Sequence, residues 1–130
     1  MSDDVSKSDD VLYRDRFCAV KKGHVTIKWY YFPTAQSLRV DCSRIKAVYH
    51  QRHEFDWFTA KSWGQTLTPV WWACDLGRYS YSQTDTSANV VIDIGETHMK
   101  GFSVTDIQGF LAALRPTLPD SGIVQDKFPF

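Results

Sequence analysis

The chain has 130 residues, 43% of them hydrophobic, 15% aromatic and 23% charged, with fifteen basic residues balanced by fifteen acidic ones. That length gives one domain with a sizeable core and leaves no room for a second, and the composition excludes a disordered or collagen-like chain. No run approaches the roughly 18 apolar residues of a membrane-spanning helix, and the opening MSDDVSKSDD is acidic where a secretory leader is basic and then apolar, so a cytoplasmic protein without a transmembrane segment is expected.

Residues 1–10 are polar and aperiodic and read as a disordered acidic tail, with SDDV used twice but no true repeat. A β-like run, VLYRDRFCAV, follows from Val11 to Val20 and leads through a turn at Gly23 into VTIKWYYF. In that second run Val25, Ile27, Trp29 and Tyr31 are expected on one face and Thr26, Lys28, Tyr30 and Phe32 on the other, the period of a half-buried strand. SLRVDC, with Leu38, Val40 and Cys42 inward, and RIKAVYHQ are the next two strands. The pattern dissolves between His53 and Pro69, then resumes at VWWACDL, where Val70, Trp72, Cys74 and Leu76 share a side. After a polar connection, NVVIDIGETHMKGFSV reads as a hairpin turning at Gly95-Glu96.

The period then changes, because Ile107, Phe110, Leu111 and Leu114 form the apolar stripe of a helix. Thr105 is expected to cap it, with Asp106 against its positive end, Gln108 in capping-box spacing, Arg115 in the last turn and Pro116 as the stop. The domain is expected to span 11–119, and residues 120–130 read as a short C-terminal tail. The fold class expected is mainly β with one C-terminal helix: a bent antiparallel sheet or partial barrel of six to seven strands, its open end closed by the helix packing on the face of Val70 and Trp72.

Three stretches carry a resemblance to the pleckstrin-homology-like fold, in its small bacterial-type group: SLRVDCSRIKAVYHQ, SWGQTLTPVWWACDLGR and VVIDIGETHMKGFSVTDIQGFLAALRP. With the first hairpin the likeness covers residues 11–116. It implies a non-enzymatic module that binds a protein or itself, and makes homo-oligomers plausible through unpaired strand edges. In the phosphoinositide-binding members of that fold a lysine late in the first strand and a Lys/Arg-x-Arg pair on the second cradle phosphate. Here Lys21 or Lys22 and then Lys28 match, but Tyr30 stands where the arginine belongs. Anionic-lipid binding through Lys21, Lys22 and Lys28 is therefore the alternative.

Four of the five tryptophans lie between Trp57 and Trp72. Alternation sends Trp72 inward and Trp71 outward, so that Trp71 with Trp63 on the preceding loop is the candidate protein-binding patch. Nine basic residues against two acidic ones from Arg14 to Arg52 give the chain a cationic half, but the domain as a whole is too weakly basic for nucleic acid. Cys18, Cys42 and Cys74 are odd in number and lie in expected strands, hence reduced buried thiols. His50-x-x-His53 lacks a cysteine pair for zinc, and Glu54 and Asp56 beside His53 read as a solvated loop. No cofactor and no catalytic residue is expected; a small-ligand or enzymatic barrel is a further alternative.

Overall fold

A computed structural model describes residues 11–31, 34, 36–52, 64–65, 70–73 and 86–129. The acidic tail, Trp57, Trp63, His53 and Cys74 lie outside these described residues. Strands β1 (Val11–Arg14), β2 (Cys18–Lys21), β3 (His24–Tyr31) and β4 (Gln36–Asp41) form a four-stranded sheet in that order, each pair antiparallel. A 3-10 turn at Cys42–Arg44 leads into β5 (Ala47–Arg52), followed by β6 (Gly64–Gln65), β7 (Val70–Trp72), β8 (Ala88–Asp93), β9 (Met99–Val104), helix α1 (Ile107–Leu114), a second 3-10 turn at Arg115–Thr117, and β10 (Ile123–Asp126). The second sheet has the order β10-β5-β8-β9-β7-β6.

Among the described residues the fold is thus mainly β with one C-terminal helix, in two sheets that do not close into a barrel. Two pairings depart from the antiparallel expectation, since β10 runs parallel to β5 and β7 parallel to β9. The C-terminal segment is accordingly part of the sheet from Ile123 to Asp126 and not a free tail. Among the described residues no helix is long and apolar enough to cross a membrane.

The expected single run from Val11 to Val20 is broken into a hairpin. The cause is Asp15, whose Oδ1 accepts hydrogen bonds from the Phe17 amide at 2.7 Å and the Cys18 amide at 2.9 Å, folding the chain back on itself. At the next turn Gly23 takes φ +96°, a conformation open to glycine at no steric cost. Further along β3 the register against β4 shifts between Ile27 and Tyr31, and Trp29 adopts φ +59°. This bulge reverses the alternation. Val25 and Ile27 face the core as expected, but Trp29 and Tyr31 are exposed and Tyr30 is buried in their place.

The main core lies between the two sheets and under the helix. Val20, Val25, Ile27 and Val40 come from the first sheet, Val48, Val90, Ile92, Phe102 and Val104 from the second, and Phe110, Leu111 and Leu114 from α1. Phe110 meets Phe102 and Tyr13 edge to face, with ring centroids 5.7 and 5.8 Å apart. Each such fully buried side chain stabilises the fold by about 1.5–3 kcal/mol relative to exposure.

Two expectations about the helix change. Its N-cap is Asp106, whose Oδ1 accepts from the Gly109 amide at 3.1 Å, because Thr105 is held elsewhere: its amide donates to Asp15 Oδ2 at 2.9 Å. The helix also does not cover Val70 and Trp72. These two form a separate cluster with Val91 on the opposite face of the second sheet, where Phe128 lies against the Trp72 ring at 6.0 Å. The parallel pairing of Trp72 with Gly101 sets this, since it places the indole on the same outward row as Gly101 and Val91.

Candidate protein-interaction surface

The three lysines named from the sequence do not converge. Lys21 ends β2 and Lys22 opens the turn with Gly23, whereas Lys28 stands beyond Ile27, the partner of Cys18, at the far end of the hairpin. Four residue steps along the strand separate His24 from Lys28, a span of about 13 Å. Lys28 Nζ donates to the Asp15 carbonyl at 3.0 Å, so its charge braces the β1–β2 turn. Lys22 is exposed and, with Leu12, Gly23, Pro116 and Thr117, lines a cleft of about 370 Å³.

Trp71 is half-buried, packs against the edge of the main core, and donates its indole Nε1 to the Tyr30 carbonyl at 3.3 Å. Its sheet partner across β7–β9 is Lys100. With Tyr30, Tyr31, His98 and Lys100 it lines a shallow hollow of about 310 Å³. Tyr30 and Tyr31 meet edge to face at 5.1 Å, and burial pushes the Tyr30 phenol well above its ordinary range, so the hydroxyl stays protonated. Lys100 Nζ is bonded to Glu96 at 2.7 Å, and that bond, followed by the lysine's charge, holds the Glu96 carboxyl below its usual range. The surface is aromatic with neutralised charge at its margin, a composition suited to contact with protein.

Sequence reasoning missed Trp29 and Tyr31. Trp29 is 51% exposed and Tyr31 43% exposed. The available signal was the unbroken run Trp29-Tyr30-Tyr31-Phe32, because a period-two strand cannot hide four consecutive aromatics on one face.

Burial is the first cause raising the pKa of both described thiols; Asp15 adds to it at Cys18, and the Thr117 hydroxyl, 3.2 Å from Cys42 Sγ, opposes it there. Both remain protonated at neutral pH. Among the described residues no three His, Cys, Asp or Glu side chains come together as a metal site. His50 sits 3.8 Å from Asp126 across the β5–β10 pairing, yet its pKa falls below 6.5, because burial outweighs the attraction of Asp126 and Arg115 adds repulsion. His24 shifts the same way for the same first cause. A lowered histidine pKa means the unfolded chain takes up the proton first, so stability is full above pH 6.5 and is lost as pH falls through that value toward the folded pKa. Urea unfolding at pH about 7.5 and about 5.5 should record this loss, and His50→Gln should make it smaller.

Comparison with protein-family models, curated proteins and solved structures finds no match to this chain.

Proposed function

We propose that this chain is a non-enzymatic, pleckstrin-homology-like interaction module that takes a protein partner at the aromatic surface of Trp29, Tyr31 and Trp71, and also associates with itself. The family reading is supported by the three sequence stretches and by the order of elements: an antiparallel four-stranded sheet, then a second sheet with β5, β8 and β9 antiparallel at its centre, then a helix on the shared core. A cytoplasmic setting fits the buried unpaired thiols of Cys18 and Cys42.

One observation carries the proposal. Trp29 is a bulky residue at φ +59°, half exposed on a bulged strand. For an L-residue that conformation costs roughly 1–2 kcal/mol, and strain of this kind is retained where it positions a functional group. Trp29→Asn suits the left-handed backbone and removes the indole, so relieved strain and lost partial burial should nearly cancel, leaving stability within about 1 kcal/mol.

The test is affinity capture from the native lysate with wild type, Trp29→Asn and Trp71→Ala, together with sedimentation of each purified protein. Loss of the same partner, or of the same oligomer, in both folded variants is the expected result. Retention of every partner by both, with all three proteins monomeric, ends the proposal. Trp29→Asn unfolding by more than about 3 kcal/mol would assign the indole to packing instead.

Anionic-lipid binding keeps one supporting observation, the exposed Leu12 beside Lys22 on the cleft at Pro116. It requires vesicle binding that weakens with salt and with Lys22→Ala; equal binding to neutral vesicles removes it.

A further inference from the structure

A cavity at the junction of β5, β8 and β10 shares no lining residue with the aromatic hollow, and nothing in the proposed function uses it. It measures about 540 Å³ and is walled by Ser43, Arg44, Ile45, Lys46, Ile94, Pro119 and Ser121. Three separate segments build it. The 3-10 turn after β4 supplies Ser43 and Arg44, the end of β8 supplies Ile94, and the chain entering β10 supplies Pro119 and Ser121. Lys46 is fixed at their junction: its amide donates to the Asp93 carbonyl at 2.8 Å, and its carbonyl accepts from the Ile123 amide at 3.2 Å.

The chemistry of the wall is one-sided. Two cations and two hydroxyls face the cavity with no carboxylate among the lining residues, above an apolar floor of Ile45, Ile94 and Pro119. Nearby acids are engaged or excluded: Asp93 Oδ1 accepts from the Gly95 amide at 2.8 Å, and Asp120 is exposed and not part of the wall. Glu96 bonds to Arg44 at 3.2 Å but more closely to Lys100 at 2.7 Å. An incoming anion can therefore take the Arg44 guanidinium without leaving Glu96 unpaired.

We propose that this cavity binds a small organic phosphate, its phosphoryl oxygens held by Arg44, Lys46, Ser43 and Ser121 and its carbon body resting on Ile45, Ile94 and Pro119. The guanidinium fork and a lysine point charge are the usual pair for a tetrahedral dianion, and the volume falls within the range of small-ligand sites. The site depends on β10, because Ser121 and Pro119 reach it only when Ile123–Asp126 pairs with β5.

The proposal is independent of the aromatic surface and is tested separately, by amide chemical-shift titration of the full chain with phenyl phosphate, phenol and inorganic phosphate. Saturable shifts confined to residues 43–46, 94–96 and 119–123, tighter for phenyl phosphate than for inorganic phosphate and absent with phenol, are expected. Lys46→Ala should weaken phenyl phosphate binding about tenfold, and Glu96→Gln, by releasing Arg44, should tighten it about threefold. Thermal unfolding confirms that both variants fold. A parallel arm with phosphatidic acid vesicles separates a soluble phosphate from a lipid headgroup: vesicle capture lost in Lys46→Ala assigns the same site to a membrane-borne phosphate. No saturable shift with either phosphate, shifts centred on Lys21 and Lys22, or binding unaltered by Lys46→Ala overturns the assignment.

Discussion

Gly101→Ala should lower the stability of the protein by about 3 kcal/mol, near the upper end for overpacking a close-packed site. A Cβ at this position would stand 2.5 Å from Trp72 Cε3, 2.6 Å from Cδ2 and 2.8 Å from Val70 Cγ1. Trp72 and Val70 are fully buried, and the ladder bond from the Ala73 amide to the Gly101 carbonyl at 2.8 Å prevents the backbone from stepping aside. Neither the ring nor the strand can give way cheaply. In urea unfolding monitored by tryptophan fluorescence the midpoint should fall with little change of slope. Trp72→Ala alone should cost about 3–5 kcal/mol through the cavity it leaves, and the double variant should cost clearly less than the sum, because the added methyl occupies space the indole has vacated. Strict additivity would show that the clash does not exist.

Asp15→Ala should cost a similar amount, about 3–4 kcal/mol, for a different reason: hydrogen bonds to a charged group contribute about 1.5–3 kcal/mol each but do not add when they share one partner. The Asp15 carboxylate accepts from the amides of Phe17, Cys18 and Thr105 and from the Tyr13 hydroxyl. The same hydroxyl accepts from the Asp106 amide at 3.2 Å, so one side chain ties the first hairpin to the N-terminus of the helix. Asp15→Asn keeps the shape but turns an NH₂ toward a backbone donor, and about 2 kcal/mol should be lost. Hydrogen exchange offers the discriminating measurement. If Asp15 joins the two elements, amides of both the β1–β2 hairpin and α1 lose protection together in Asp15→Asn. Loss confined to the hairpin would reduce Asp15 to a local turn residue.

The three site features differ in how visible they were beforehand. Strand alternation points to Trp71, and it does border a surface hollow, although it is half-buried and braced by the Tyr30 carbonyl. Alternation puts Trp29 and Tyr31 on the wrong face because it counts residues and cannot see an inserted one. Lys21, Lys22 and Lys28 lie close together in the chain, yet the Gly23 turn sends the last of them to the opposite end of a hairpin. The cavity of Arg44, Lys46 and Ser121 had no local signal at all, since its walls come from positions separated by more than seventy residues.

Hydropathy period, turn chemistry and capping propensity act over a few neighbours, and they were enough to establish a β-rich chain, the turns at Gly23 and Gly95, and a helix whose stripe of Phe110, Leu111 and Leu114 is buried. Those properties are written into adjacent residues. Which face covers which, and in which direction strands pair, depends on groups that meet only after the chain has closed on itself. The parallel docking of β10 and β7, the bulge at Trp29, the outward row of Trp72 beside Gly101, and the capture of Thr105 by Asp15 all belong to that second kind. Their free energies come from contacts distant in sequence, to which no local pattern is sensitive.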